Sequence, residues 1–206
     1  MTEATIENGF ATVAAGDWLM GRSQPVAFSD RAEVKGLKGF IVPDRAAVQT
    51  VRLSGEGRCA SADAPFLTRL DALPDVPLKL MSGKLLVAPF GARCGARSLR
   101  LVPLSFSRAF AVTEFKGGWA VAATRGRVTR VSLDDGGTLV VRPEAVVAWI
   151  GKDPSGFCPK LSVLDIILPR SPRNLAFTFH GPATVWFEGS SADGARGRIG
   201  RGRRRG

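Results

Sequence analysis

The sequence predicts an all-β protein built from repeated β units and ending in a disordered tail. Three observations carry this. Twenty-four Gly and thirteen Pro are spread along all 206 residues, which suits many short strands joined by turns better than long helices. Between Phe115 and Trp149, apolar runs and turn residues alternate with the rhythm of a β-meander. A Gly-centred pattern also returns along the chain. Leu53-Ser54-Gly55-Glu56-Gly57, Phe115-Lys116-Gly117-Gly118-Trp119 and Phe179-His180-Gly181-Pro182-Ala183 follow one another at nearly equal intervals. Met81 to Ala88 has the same apolar-turn-apolar profile as Val141 to Ala148, at a similar interval. A duplicated β unit explains such an echo, with glycine permitting the turn; chance recurrence of apolar-x-Gly between strands is the competing explanation.

Taken in order, residues 1–9 read as a frayed terminus. Phe10 to Val13 and Trp18 to Met20 make a first pair of short strands about Ala15-Gly16-Asp17. Gly21 to Gly39 is rich in polar and turn residues and reads as irregular surface with one short strand near Pro25 to Phe28. Phe40 to Val42 and Val48 to Leu53 resume strand character, the latter setting Val51 and Leu53 against Thr50 and Arg52. Ala64 to Leu73 is the best helix candidate, with Pro65 at its start and Leu67 and Leu70 on one face. Ser98 to Leu104 and Phe106 to Thr113 lie between the echoes. Trp119 to Ala123 is an apolar strand, Val128 to Leu133 alternates, and Asp134-Asp135-Gly136-Gly137 turns the chain into Leu139 to Val141. Leu161 to Leu168, between Pro159 and Pro169, fits a strand or two helical turns; strand is preferred. These segments make one β-sandwich domain over 10–189, with merged repeats of roughly 10–95 and 96–189.

From Gly189 the composition changes to GSSADGARGRIGRGRRRG, which has no capacity to bury a face and reads as a disordered tail over 190–206. Arg196, Arg198, Arg201, Arg203, Arg204 and Arg205 supply six of the eleven net positive charges, leaving +5 for the rest. Mobile guanidinium groups pair with phosphate and stack on bases, so these six are the candidate polyanion-binding residues; RNA, an acidic protein or an anionic membrane surface would suit them. A merely solubilising terminus is the alternative. The remaining basic residues, such as Arg45, Arg52, Lys79, Arg125, Arg127 and Arg130, are scattered singly and read as solvated strand positions.

Cys59, Cys94 and Cys158 form no CxxC pattern and read as core hydrophobes of a reducing compartment. His180 is the only histidine, which argues against multi-imidazole metal sites and for a surface turn residue. A triad of His180 with Asp165 and Ser190 or Ser191 has no supporting order or Gly-x-Ser-x-Gly elbow. Asp134, Asp135 and Asp153 read as turn acids without calcium-site spacing. Trp119, Trp149 and Trp186 read as core, with an exposed base-stacking platform as the alternative; Trp149 borders a Gly-Lys-Asp-Pro-Ser loop. No segment reaches the ~20 apolar residues of a membrane helix, and the N-terminus has no signal or transit pattern, so a soluble, cytoplasmic protein is expected.

FKGGWAVAATRGRVTRVSLDDGGTLVVRPEAVVAW and FTFHGPATVWFEG resemble the family named for altered inheritance of mitochondria protein 24, found in bacteria and mitochondria. Phe115, Gly117, Gly118, Gly126, Leu139, Val141, Val147 and Ala148 match its Phe-x-Gly-x-Gly pattern, and Gly181, Pro182, Thr184, Val185 and Trp186 match its late Gly-Pro-Gly-Thr-Val-Trp-like strand. Ala183 replaces the second glycine of that strand. The resemblance implies a double-stranded β-helix or jelly-roll-like sandwich, similar to the tryptophan RNA-binding attenuator protein, often oligomeric, without cofactor or established activity. A non-enzymatic homo-oligomeric binding or scaffold module is therefore expected. The competing classes are polyanion binding through the tail and a ligand-binding or hydrolytic barrel. Open sheet edges supply the physical motive for self-association.

Overall fold

Period-two alternation of apolar and polar side chains lets a strand bury one face, and two-sided apolar strands must lie between two layers. Both kinds occur here. The computed structural model describes residues 3–14, 16–21, 26–28, 33–40, 48–89, 93–99, 110–157 and 176–189. Among them are nineteen strands, two 3-10 turns and no α-helix, so the protein is all-β.

The N-terminal strand β1 (Ala4–Glu7) precedes three sets of six. The first is β2 (Phe10–Val13), β3 (Asp17–Gly21), β4 (Val26–Phe28), β5 (Glu33–Phe40), β6 (Val48–Ser54) and β7 (Gly57–Ser61). The second is β8 (Phe66–Asp71), β9 (Leu78–Met81), β10 (Leu85–Pro89), β11 (Arg93–Leu99), β12 (Phe110–Lys116) and β13 (Trp119–Thr124). The third is β14 (Val128–Leu133), β15 (Thr138–Val141), β16 (Val146–Gly151), β17 (Ser155–Phe157), β18 (Ala176–His180) and β19 (Ala183–Glu188).

Pairing defines these sets. One six-stranded sheet runs β5-β6-β3-β10-β13-β8 and another β11-β12-β9-β16-β19-β14, so each strand of the second follows its counterpart by six. The sets join where β3 pairs with β10 and where β9 pairs with β16. Two smaller sheets, β1-β2-β7-β4 and β15-β18-β17, have the orders of the two halves of a larger one, with β1 added. The strand order thus counts three units, and a division near residue 95 falls inside β11.

Three apolar clusters fill the spaces between the four sheets. Trp18, Leu53, Val87 and Trp119 meet Ala11, Val13 and Cys59; Leu78, Leu80 and Phe115 meet Leu70, Ala120 and Ala122; Trp149 and Val185 meet Leu139, Val141, Phe177 and Phe179. β13 is buried at all six positions: Trp119, Val121 and Ala123 face the first cluster, Ala120 and Ala122 the second, and the Thr124 hydroxyl donates to the Phe66 and Gly126 carbonyls. At about 1.5–3 kcal/mol for each fully buried Val, Leu or Phe, these contacts dominate stability.

The echo between Met81 to Ala88 and Val141 to Ala148 has a structural basis. Ser82–Lys84 and Pro143–Ala145 are both 3-10 turns leading into strands, β10 and β16. Each strand shifts register near its start, between Leu85 and Val87 in one and between Val146 and Ala148 in the other. Structure matches Ser82 to Pro143, the neighbour of the Arg142 that the sequence echo sets against it.

Several expectations change. Residues 4–7 pair with β2 instead of fraying. β2 and β3 do not pair with each other: β2 joins β1 and β7, while β3 joins β6 and β10, so the segment between them crosses from one sheet to another. Glu33–Phe40 is a full strand on β6, not irregular surface. The helix candidate at 64–73 contains β8, because pairing with β13 satisfies its backbone where a short isolated helix could not. Leu161 to Leu168 lies outside the described residues.

Candidate functional site

The matched motif residues are architectural. Gly117 and Gly118, at φ +70° and +83°, turn β12 into β13 in a backbone region that disfavours side chains. Phe115 anchors the end of β12 in the second cluster, Ala148 lies in the bulge of β16, and Val185 pairs with Val131 and Trp149. Gly181–Pro182 joins β18 to β19, where a Cβ on Gly181 would overlap the Asp134 carbonyl. A Cβ on Gly126 would overlap the Gly189 carbonyl in the same way. Trp119, Trp149 and Trp186 are all buried, so none is a ready base-stacking platform. His180 is exposed at the end of β18. No group of three metal-ligating side chains occurs among the described residues. Arg196, Arg198, Arg201, Arg203, Arg204, Arg205, Asp165, Ser190 and Ser191 lie outside them.

The strongest electrostatic feature was not legible in the sequence. Lys79 on β9 is only 9% exposed, in contrast to the solvated position expected of it. Its ammonium donates to the Gly151 carbonyl at 2.6 Å and pairs with Asp153 at 3.0 Å. Arg97 on β11 bridges Glu114 on β12 at 2.6 Å and Asp153 at 2.7 Å. Burial raises the Asp153 pKa, but the Arg97 and Lys79 hydrogen bonds outweigh it and hold the carboxyl below its ordinary range. For Arg97, burial opposes the charge while Asp153 and Glu114 hold the proton more strongly. This network ties the second unit to the third. Arg52 is likewise paired, with Asp17, whose carboxyl that guanidinium pulls down. Neither cluster has the free nucleophile or acid-base pair that catalysis needs.

Arg125, Arg127 and Arg130 behave differently. All three are exposed, on the β13–β14 turn and on β14, and form no ion pair with a carboxylate among the described residues. Glu188, paired in register with Val128, is held by Lys84 at 2.9 Å and accepts from the Arg125 backbone N–H. The Gly189 N–H donates to the Arg127 carbonyl at 3.0 Å, so the chain enters its Arg-rich terminus beside these arginines.

The fold occurs among solved structures. Protein SPYM3_0169 from Streptococcus pyogenes aligns over 92% of this chain and 94% of its own, with a TM-score of 0.66 and 16% sequence identity. Its likeness is one of architecture. No family model matches the chain, and no curated protein matches it.

Proposed function

We infer that this protein is a non-enzymatic module that assembles head to tail with copies of itself through its two terminal half-sheets. The observation that carries this is the pairing rule. β3 takes β10 of the following unit and β9 takes β16, yet β15, the next in that series, takes no following strand among the described residues, and β4 takes no preceding one. Joined across two copies, the half-sheets would give β17-β18-β15-β4-β7-β2, the order of the complete sheets. An edge so disposed exposes unpaired backbone groups, and a matching strand satisfies them. A heterologous contact of this kind produces a ring if its rotation closes.

Membership of the mitochondrial-inheritance-like family is part of this proposal, supported by the motifs at Phe115 to Trp149 and Arg173 to Gly189. We place the protein in the cytoplasm, a reading supported by the free thiol of Cys59. No helix among the described residues is long and apolar enough to cross a membrane.

Light scattering across a dilution series tests the assembly. A multiple of the monomer mass is expected, falling toward one copy when Val26→Lys and Val140→Lys place a charge on each open strand. A monomer at every concentration would sink the proposal. Polyanion binding is the second reading, favoured by the position of Gly189 against Arg127.

A further inference from the structure

The geometry points to a binding surface for single-stranded nucleic acid along the edge formed by Phe66, Arg125, Arg127 and Arg130. It rests on the polyanion reading of the tail and extends it onto the folded body.

Three features converge there. The first is charge without a carboxylate partner among the described residues: Arg125, Arg127 and Arg130 are exposed on neighbouring turn and strand positions, whereas Arg52, Arg69 and Arg97 are each committed to a carboxylate. The second is an exposed aromatic. Phe66 is 40% exposed and lies across from Thr124, the residue before Arg125. Residues on a strand alternate between faces, so Phe66 shares a face with Leu70, which belongs to the cluster between the two six-stranded sheets. Arg130 lies 5.5 Å from the Trp186 ring, which belongs to the same cluster. Phe66 and Arg130 therefore rim one seam from opposite sheets. The third is the Gly189 N–H, which donates to the Arg127 carbonyl at 3.0 Å and holds the backbone of Gly189 at this edge.

A guanidinium row beside an aromatic suits a strand whose phosphates pair with arginine while an unstacked base covers the ring. Duplex bases are already stacked and offer Phe66 no face. An acidic peptide would satisfy the arginines and leave the ring unused. Thr129 and Ser132, the other exposed residues of β14, add hydroxyls rather than the apolar surface that a membrane contact needs.

The test measures binding of labelled single-stranded RNA of about 12 nucleotides against salt, in the full chain. Arg125→Ala, Arg127→Ala and Arg130→Ala together should lower the salt slope by about 2, since each phosphate contact to a single strand contributes about 0.7. Phe66→Ala should weaken binding about tenfold while leaving the slope alone. Lysines at the three positions should restore the slope; lysine variants as weak as alanine ones would overturn the electrostatic role. The same triple replacement is then made in a chain whose six tail arginines are serine, where it should remove the remaining affinity. Unchanged binding by the triple variant in both backgrounds would overturn this surface while leaving the tail reading intact. No salt-sensitive binding by the unaltered chain would remove both. Binding to polyglutamate or phosphatidylserine vesicles as tight as to RNA, insensitive to Phe66→Ala, would replace nucleic acid with an acidic protein or a membrane.

Discussion

Two buried tryptophans show how single atoms decide the effect of a substitution. Trp18 and Trp149 are both fully buried, but the Trp18 indole N–H donates to the Gly55 carbonyl at 3.2 Å, whereas that of Trp149 has no partner among the described residues. A buried donor without an acceptor carries its desolvation cost uncompensated. Trp18→Phe should therefore destabilise by about 1–2 kcal/mol more than Trp149→Phe, read from denaturant midpoints, because only the first breaks a bond and strands a carbonyl. Glycines separate in the same way. A Cβ on Gly57 would sit 2.3 Å from Trp18 Cζ2, inside a packed cluster, so Gly57→Ala should cost about 1–3 kcal/mol. Gly83 has open space around its Cβ position, and Gly83→Ala should stabilise by about 0.4–1 kcal/mol by restricting the unfolded chain.

At the scale of elements, β10 shows why alternation alone misreads a two-sided strand. Leu86 and Val87 both face the first cluster, while Leu85 and Ala88 face the second. The bulge lets two neighbours share a face, and Leu85 and Val87 pair with the consecutive residues Ala122 and Val121. Deleting Leu86 should therefore leave a regular ladder and a folded chain, weakened by the ~2–5 kcal/mol expected for a lost buried Leu. Deleting Val121 from unbulged β13 would exchange the faces of the residues beyond it and should abolish folding, as circular dichroism and thermal melts would show. The matching bulge in β16 explains why Met81 to Ala88 and Val141 to Ala148 echo each other in sequence.

For the whole molecule, the Lys79–Asp153–Arg97–Glu114 network links two units, and acid should loosen that link. Asp153 is held below the ordinary carboxylate value, so its contribution is complete above about pH 4 and disappears as pH falls through the lower folded-state value. Denaturant midpoints should accordingly fall as the pH drops below about 4 and on through that lowered value, and Asp153→Asn should lower stability at pH 7 while flattening that acid limb. The assembly proposal belongs to this scale too, because neither β4 nor β15 has any local peculiarity. Only their places in the order of sheets set them apart, each lacking among the described residues the strand of another unit that its counterparts pair with.

Local pattern was enough to settle the class of the molecule. Val128–Leu133 alternates and Asp134–Gly137 carries turn residues, and the strand and the turn closed by the Gly137-to-Asp134 hydrogen bond occur where those patterns place them. The Gly-centred echoes likewise fall on the β6–β7, β12–β13 and β18–β19 corners, where the chain passes from one sheet to another. Tertiary structure decided the rest. β8 looked helical because Leu67 and Leu70 share a helical face, yet they point to two different clusters on either side of one sheet. Lys79 looked solvated because its acidic partner, Asp153, belongs to a distant part of the chain. Arg125, Arg127 and Arg130 looked like ordinary strand charges until pairing brought Phe66 and Gly189 beside them. Backbone propensity and turn chemistry act over a few neighbouring residues, whereas burial, ion pairing and the completion of a sheet depend on which distant strands become neighbours.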